Sequence, residues 1–455
     1  MKLFNSPFAV AILLAALLLL AYGHTFNFPF QFDDYNVIVD EPKVHSLSAW
    51  WQSMPGMRPL LKLSYALNWQ LDNNSVYFRG FNWLAHLLTS CLAWLLSLKL
   101  LAKLSPTTPY PQAIALLAAV LFALHPAHTE VVSYICSRSS GLMGLFSLSA
   151  IVCALYAMEA KSTAKYFAAA VAVLFLCALA TKETALILLV ILMIINIFYK
   201  NIDEDFPVKY TIKACLIFVA LFIISCALLM QIPRYAQLME QFVQPVDIHA
   251  ILLNQGIAHA YYLSHILLGR NLNVDYQLAV PTHFNVQISL IWFVIFSLLA
   301  FAWLVRKTKP LISLCITWWL VWLLPTNSIL SRLDLINDRQ IYMASFGAIL
   351  LVSIMVFAAA KRLQKIGLFW LIPVALTSYC LVMTHLRNWD YETEITLWHA
   401  SVDQAPQNAR AWNNLGYAYM LDKQNEKAMN AFENALKLDD TNYKAYYNLQ
   451  QLKQE

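Results

Sequence analysis

A chain of 455 residues with 60% apolar and 13% charged side chains carries about half the charge expected of a soluble protein, and a water-soluble fold cannot hide that much apolar surface. The formal net charge of +5 is too small and too scattered to point to nucleic acid. No Walker A loop is present for an ATP-driven pump, and 10 glycines in the whole chain argue against glycine-hinged transporter helices.

A bilayer core requires about 20 mostly apolar residues per helix. Segments that approach this are 7–23, 81–102, 112–125, 138–158, 164–181, 184–199, 211–231, 286–305, 310–325, 341–360 and 367–385. Together they predict an all-α polytopic membrane protein with about eleven transmembrane helices. The first segment is read as a span rather than a cleaved leader. Ala21-Tyr22-Gly23 resembles a cleavage site, but the basic region is a single lysine and the apolar run is long. Lys2 precedes the first segment, and Lys99 and Lys103, Lys161 and Lys165, Lys200 and Lys209, Arg306 and Lys307, and Lys361 and Arg362 follow alternate ones. Basic loops stay in the cytoplasm, so the N-terminus is expected inside and the C-terminus outside. A further apolar stretch, 249–268, would invert this alternation if it crossed, and is expected to lie at the outer face. Of eight cysteines all but Cys136 fall within spans, so no disulfide framework is implied.

The composition changes at residue 386. Residues 386–455 carry seven basic and ten acidic side chains and contain a repeat. Trp412, Leu415, Gly416, Tyr419, Ala428, Phe432 and Ala435 have the spacing of a tetratricopeptide repeat, Tyr446 and Leu449 begin the next unit 34 residues on, and Trp398 belongs to the preceding one. The expected division is therefore a membrane domain over 1–385 and an extracytoplasmic repeat domain over 386–455. The tail serves either as a cap or as a docking surface for a protein or a second copy of the chain.

Ionisable residues at the outer ends of spans are costly and tend to mark function. The first outer loop, 24–80, carries Asp33-Asp34 near the membrane, where two adjacent carboxylates repel and one can act as a general base. Trp50, Trp51, Met54 and Met57 then read as an amphipathic surface helix ahead of Arg58. His125, His128 and Glu130 are either divalent-metal ligands or structural and substrate-orienting groups, because the HxxHxE spacing is not specific. Lys182-Glu183 reads as a turn ion pair or, with Arg58, Arg138 and Arg339 on the same face, as part of a phosphate cradle. Asp275 lies in a long outer loop, and Tyr342 follows Arg339 at the start of the tenth segment.

These pieces resemble the transmembrane and tetratricopeptide-containing O-mannosyltransferases, polyprenyl-phosphate-sugar-dependent enzymes of the GT-C class. The resemblance rests on Phe32-Asp33-Asp34, Met57-Arg58-Pro59-Leu60, Phe81-Asn82-Trp83-Leu84-Ala85-His86 and His125-Pro126-Ala127-His128-Thr129-Glu130. It continues through Ala180-Thr181-Lys182-Glu183, Leu272-Asn273-Val274-Asp275-Tyr276, Arg339-Gln340-Ile341-Tyr342 and Asn388-Trp389, in the family's order and across nearly the whole chain. The tail is shorter than the family's usual array, and the compact form is similar to bacterial relatives of an inner membrane.

The resemblance implies a lipid-linked sugar donor at the outer leaflet, a protein acceptor and an inverting transfer. Asp33 is the implied base and Asp34 the implied orienting group, while Arg339, Lys182, Arg138 and Arg58 are the candidate phosphate ligands. Nothing implies a resident cofactor beyond a possible divalent metal; the partners expected are the donor lipid, the acceptor and the bilayer. Two other readings remain open at this point: transfer to a lipid or surface polysaccharide, and a non-catalytic transporter or scaffold.

Overall fold

In a bilayer the backbone must satisfy its own hydrogen bonds, which leaves helices as the solution for long apolar segments. The computed structural model describes residues 6–54, 56–160, 162–202, 208–233, 237, 247–278, 280–326, 334–362 and 366–454, and no strand occurs among them. Every apolar segment singled out above is helical: Pro7–Tyr22, Ser75–Leu104, Pro111–Leu124, Arg138–Glu159, Ala164–Thr181, Ile187–Ile202, Val208–Met230, Val286–Val305, Pro310–Leu323, Ile341–Arg362 and Ile366–Asn388. Polar caps start several of them. The side chains of Ser6, Asn74 and Asn285 accept from backbone N–H groups of the first turn, which otherwise lack partners.

Seven helices among the described residues are long and apolar enough to cross a membrane, or eight if one bent pair forms a single span, fewer than the eleven expected. Length is part of the reason. The 14 residues of Pro310–Leu323 reach only about 21 Å at 1.5 Å per residue, short of a bilayer core of about 30 Å. The bent pair is Pro111–Leu124 with Pro126–Ser133, at an angle of 51°. His125 takes an extended conformation there, with φ −69° and ψ 125°, as the residue before a proline generally must. Residues 249–268 form the Ile248–Leu268 helix, which is not among the seven and carries His249, Asn254, Gln255, His259 and His265. The chain is thus an integral membrane protein built of helices.

The Arg138–Glu159 helix packs against Ala164–Thr181 and Ser75–Leu104, and Ile341–Arg362 against Pro310–Leu323 and Pro111–Leu124. At Gly144 a methyl group would stand 2.7 Å from the Tyr342 ring, so glycine permits the approach that brings the start of Ile341–Arg362 against the Arg138–Glu159 helix. The bundle has two distinct ends. At one, Lys99 pairs with Glu159 at 2.7 Å and Lys103 lies 5.3 Å from the Tyr199 ring centroid. At the other end of Arg138–Glu159, about 33 Å away by helical rise, stands Arg138, and the remaining candidate site residues gather there.

The connection from residue 23 to residue 74 folds over that second end, with short helices at Leu47–Gln52 and Pro59–Leu71. Ile38, Val44, Leu61 and Tyr65 bury against Phe78, Ile135 and Leu142. The last long helix continues to Asn388, and the tail follows as Glu394–Gln404, Ala409–Leu421, Asn425–Leu438 and Tyr443–Gln454. A Cβ at Gly416 would lie 2.7 Å from the Phe432 ring, which explains the small residue at that repeat position.

Candidate active site

The acidic pair lies in a tight turn, and the fold treats its two members differently. Asp34 is fully buried. Its Oδ2 accepts the Gln31 N–H at 3.1 Å and its Oδ1 accepts the Cys136 N–H at 2.7 Å, so both oxygens are engaged in closing the turn and tying it to the Tyr134–Ser137 segment. Burial pushes its carboxyl up to about 7, against the pull of Arg79 and those backbone donors. Asp33 is half-buried. Its backbone N–H donates to the Tyr134 hydroxyl at 3.1 Å, and its carboxylate makes no ion pair among the described residues. Burial raises the Asp33 carboxyl from its ordinary value, while hydrogen bonding with Tyr134 and the charges of Arg339 and Arg410 pull it back. A carboxylate with a raised pKa and a free face is suited to take a proton.

Arg79 shapes the chain ahead of the turn. Its guanidinium donates to Ser133 O at 3.0 Å, to Pro29 O at 2.5 Å and to Phe28 O. Sequence reading did not single it out.

Arg339 is the cation placed best toward Asp33. Its backbone N–H donates to Glu130 Oε2 at 2.8 Å and its Nη1 to Glu130 Oε1 at 2.6 Å. Glu130 is fully buried while the Arg339 side chain remains 28% exposed. A buried carboxylate thus holds a guanidinium whose side chain stays partly exposed. Arg58 pairs with Glu183 through two bonds, Nε to Oε2 at 3.0 Å and Nη2 to Oε1 at 2.6 Å, with side chains 32% and 30% exposed. Cys136 lies within electrostatic reach of Asp34, Asp33, Arg339 and Arg58 together, so these four surround the same short segment. Arg58 and Phe32 both have positive φ, at 50° and 45°. Such conformations cost roughly 1–3 kcal/mol each for residues with a side chain and concentrate at functional sites.

The remaining candidates are occupied elsewhere. Arg138 is buried and donates to Asn82 Oδ1 at 2.7 Å, to Ser64 O and Oγ at 3.1 Å and to Phe78 O at 3.0 Å, a structural set of partners. Lys182 is nearly buried and donates to Ser140 Oγ at 2.7 Å. His125 bonds Ile266 O through Nε2 and accepts from Ala127 N at Nδ1. His128 bonds Phe122 O and Ser345 Oγ, so neither ring has a nitrogen left for a metal. No group of three or more His, Cys, Asp or Glu side chains among the described residues is arranged to hold a metal ion. Tyr342 is buried and bonded to His86 Nδ1 at 2.7 Å.

Asp275 sits apart from the acidic pair and faces the tail. It accepts from Arg410 Nε at 2.8 Å and also from Nη2, which reaches Asp334 at 2.7 Å. Behind Arg339 lies a polar group of which the sequence motifs included only Tyr276. Tyr276 donates to Asp338 Oδ1 at 2.6 Å, His265 Nδ1 is 3.6 Å from the same oxygen, and Arg387 is 4.0 Å from Oδ2 while bonding Asp390 at 2.5 Å. The nearest sequence signal for Arg387 is its position directly before Asn388-Trp389. Asn388 itself joins two helices, accepting from Ser133 Oγ at 2.6 Å and donating to Ala21 O at 2.9 Å.

Comparison with known proteins finds similarity in both the repeat and the membrane part of the chain. The tetratricopeptide repeat family matches residues 409–442. A protein O-mannosyl-transferase of Caenorhabditis elegans, F38B6.6, is 23% identical over 94% of this chain and 62% of its own length. Protein O-mannosyl-transferase TMTC3 of Mus musculus is 23% identical over 98% of the chain and 53% of its own length, and TMTC1 of the same organism is 28% identical over 44% of the chain. The chain therefore spans between half and two thirds of the length of the relatives that it matches nearly end to end. Its resemblance to the transmembrane and tetratricopeptide-containing group extends through the membrane helices and the repeat alike, and it is similar to proteins named protein O-mannosyl-transferases.

Proposed function

We propose that this protein is an inverting glycosyltransferase that moves a sugar from a polyprenyl-phosphate-linked donor to a hydroxyl of a protein acceptor at the outer face of the membrane. The observation that carries the reading is the contrast at the acidic pair: Asp34 is consumed by the turn, and Asp33 is left half-exposed beside Arg339. The names of the relatives supply the class of reaction.

In this reading Asp33 accepts the proton of the acceptor hydroxyl as that oxygen bonds to the anomeric carbon. The bond from the anomeric carbon to the phosphate oxygen breaks on the opposite side, and its electron pair leaves with the polyprenyl phosphate. The departing phosphate gains charge and needs fixed donors in place beforehand. Arg339, anchored through Glu130, and Arg58, anchored through Glu183, meet that requirement because each is held by a carboxylate and keeps part of its side chain exposed. Arg138 and Lys182 take supporting roles in the wall, and His125, His128 and Tyr342 hold the helices around it. The 1–385 unit is the transferase body, with the N-terminus cytoplasmic and the tail on the side of the site.

The test is transfer of labelled sugar from a polyprenyl-phosphate donor to a secreted-protein acceptor by the purified full chain. Transfer that is lost in Asp33→Asn supports the proposal. A chain that transfers nothing to protein but glycosylates a lipid or polysaccharide would replace the acceptor, and hydrolysis or transfer with a nucleotide-sugar donor would overturn the donor class.

A further inference from the structure

We propose that the first helix of the repeat tail, Glu394–Gln404, is part of the transfer site, and that Glu394 is a positioning residue that holds Asp33 in its working orientation. This rests on Asp33 being the base. The residue before Asp33 is Phe32, with φ 45°, a backbone state that persists only where the surroundings enforce it. Most of the groups enforcing it on the upper side come from the tail. The Phe32 N–H donates to Glu394 Oε1 at 2.8 Å, and the Gln31 side chain donates to the Tyr391 carbonyl. The Phe32 ring also meets Trp398 edge-on, with centroids 4.9 Å apart and planes at 79°. From below, Asp34 and the Tyr134 hydroxyl hold the same turn.

The turn that carries Asp33 is thus clamped between tail residues 360 and 362 positions away in sequence and the Tyr134–Cys136 segment 101 and 102 positions away. A second tie runs through Arg410 of the next tail helix. It bonds Asp275 and Asp334, and its charge also reaches Asp33. Asn273 and Ser401 add a bond at 3.2 Å from Asn273 Nδ2 to Ser401 O. The tail therefore does not hang free of the bundle as a recruiting arm. Its first helix is a wall of the site, and a partner bound to the repeats would be felt at Asp33 through Glu394.

The experiment uses the full-length chain as wild type, Glu394→Ala and Glu394→Gln. It measures kcat and KM with a polyprenyl-phosphate sugar, the pH profile of kcat, and amide hydrogen exchange over residues 28–36. Alanine removes the acceptor for the Phe32 N–H, and a small misplacement of a catalytic group costs up to about 10²-fold. Glu394→Ala is expected to lower kcat by about 10- to 10²-fold with KM for the donor unchanged. Glu394→Gln keeps an acceptor oxygen and is expected to recover most of the loss. Loosening the turn exposes Asp33, so the acid limb of the profile moves to lower pH in the alanine variant, and amides 28–36 exchange faster. A merely structural role would lower the yield of folded protein without moving that limb. Wild-type kcat in Glu394→Ala, or a glutamine variant as impaired as the alanine one, would overturn the positioning role. If the wild type transfers no sugar at all, the function reading fails while the exchange data still decide the clamp. Unchanged exchange over 28–36 overturns the clamp whatever the activity.

Discussion

Two sets of polar residues occupy the same end of the helix bundle and are used in opposite ways. Arg138, His86, His125, His128 and Tyr342 are enclosed, and their polar atoms are matched by carbonyls, hydroxyls or each other. Asp33, Arg339, Arg58 and Glu183 keep exposed faces while their stems are fixed by buried or paired groups. The difference teaches that an ionisable group near a membrane is expensive in either case, and the proposed chemistry is placed in the set that keeps part of its side chains exposed. Both sets look alike as a list of charged and aromatic letters.

The sharpest way to break this comparison is to remove the charge from one member of the acidic pair at a time. Asp33→Asn is expected to reduce transfer by about 10²- to 10⁴-fold, the usual contribution of a general base, with an unchanged melting temperature in detergent. Next in size is Arg339→Ala, expected to lower kcat by about 10²- to 10³-fold if the guanidinium stabilises the leaving phosphate. Arg339→Lys should restore part of the rate, since the charge is kept and the fork to Glu130 is lost.

Arg138→Met addresses the enclosed set. It leaves Asn82, Ser64 and Phe78 acceptors buried without their donor, a change worth about 1–3 kcal/mol for each acceptor left unsatisfied. The expected result is a large fall in melting temperature and in yield, with near-normal kcat in the fraction that remains folded. A folded, stable and inactive Arg138→Met protein would move Arg138 into the catalytic set.

The smallest effect concerns Asp34 and pH. Its carboxyl is raised by burial to about 7, so the folded state binds a proton that the unfolded state has lost. The sign follows from linkage: the stability that this group contributes is fully present below its unfolded value of about 3.9 and is lost as pH rises through about 7. The melting temperature should therefore rise as pH falls from 8 to 5, and Asp34→Asn should flatten that slope. A slope of the opposite sign, or one untouched by the substitution, would show that Asp34 is not the group responsible.

Much of the bundle was legible in sequence because apolar length is a local property. Each apolar segment became a helix, and the spacing from Trp412 to Ala435 announced the repeat. The number of crossings was less legible, since Pro126 bends one segment and Pro310–Leu323 is short for a bilayer. The acidic pair stood out as neighbouring letters, but the choice between its members depends on Cys136 and Gln31 donating to Asp34. That information is tertiary. For the same reason Lys182 and Arg138 stood beside Arg339 as candidate phosphate ligands, because a sequence does not show that Ser140 and Asn82 already hold them. Tyr134, Glu394 and Arg410 were missed entirely, each reaching Asp33 or its turn from at least 101 residues away. No periodicity marks such pairs.

The central claim is that Asp33, and not Asp34, takes the acceptor proton during transfer from a lipid-linked sugar. The most direct measurement is single-turnover transfer by the purified full chain, with labelled polyprenyl-phosphate sugar, for the wild type, Asp33→Asn and Asp34→Asn at matched folded concentration. The expected result is near-complete loss in Asp33→Asn, and in Asp34→Asn a reduced rate together with lowered stability. Wild-type turnover in folded Asp33→Asn protein would contradict the account.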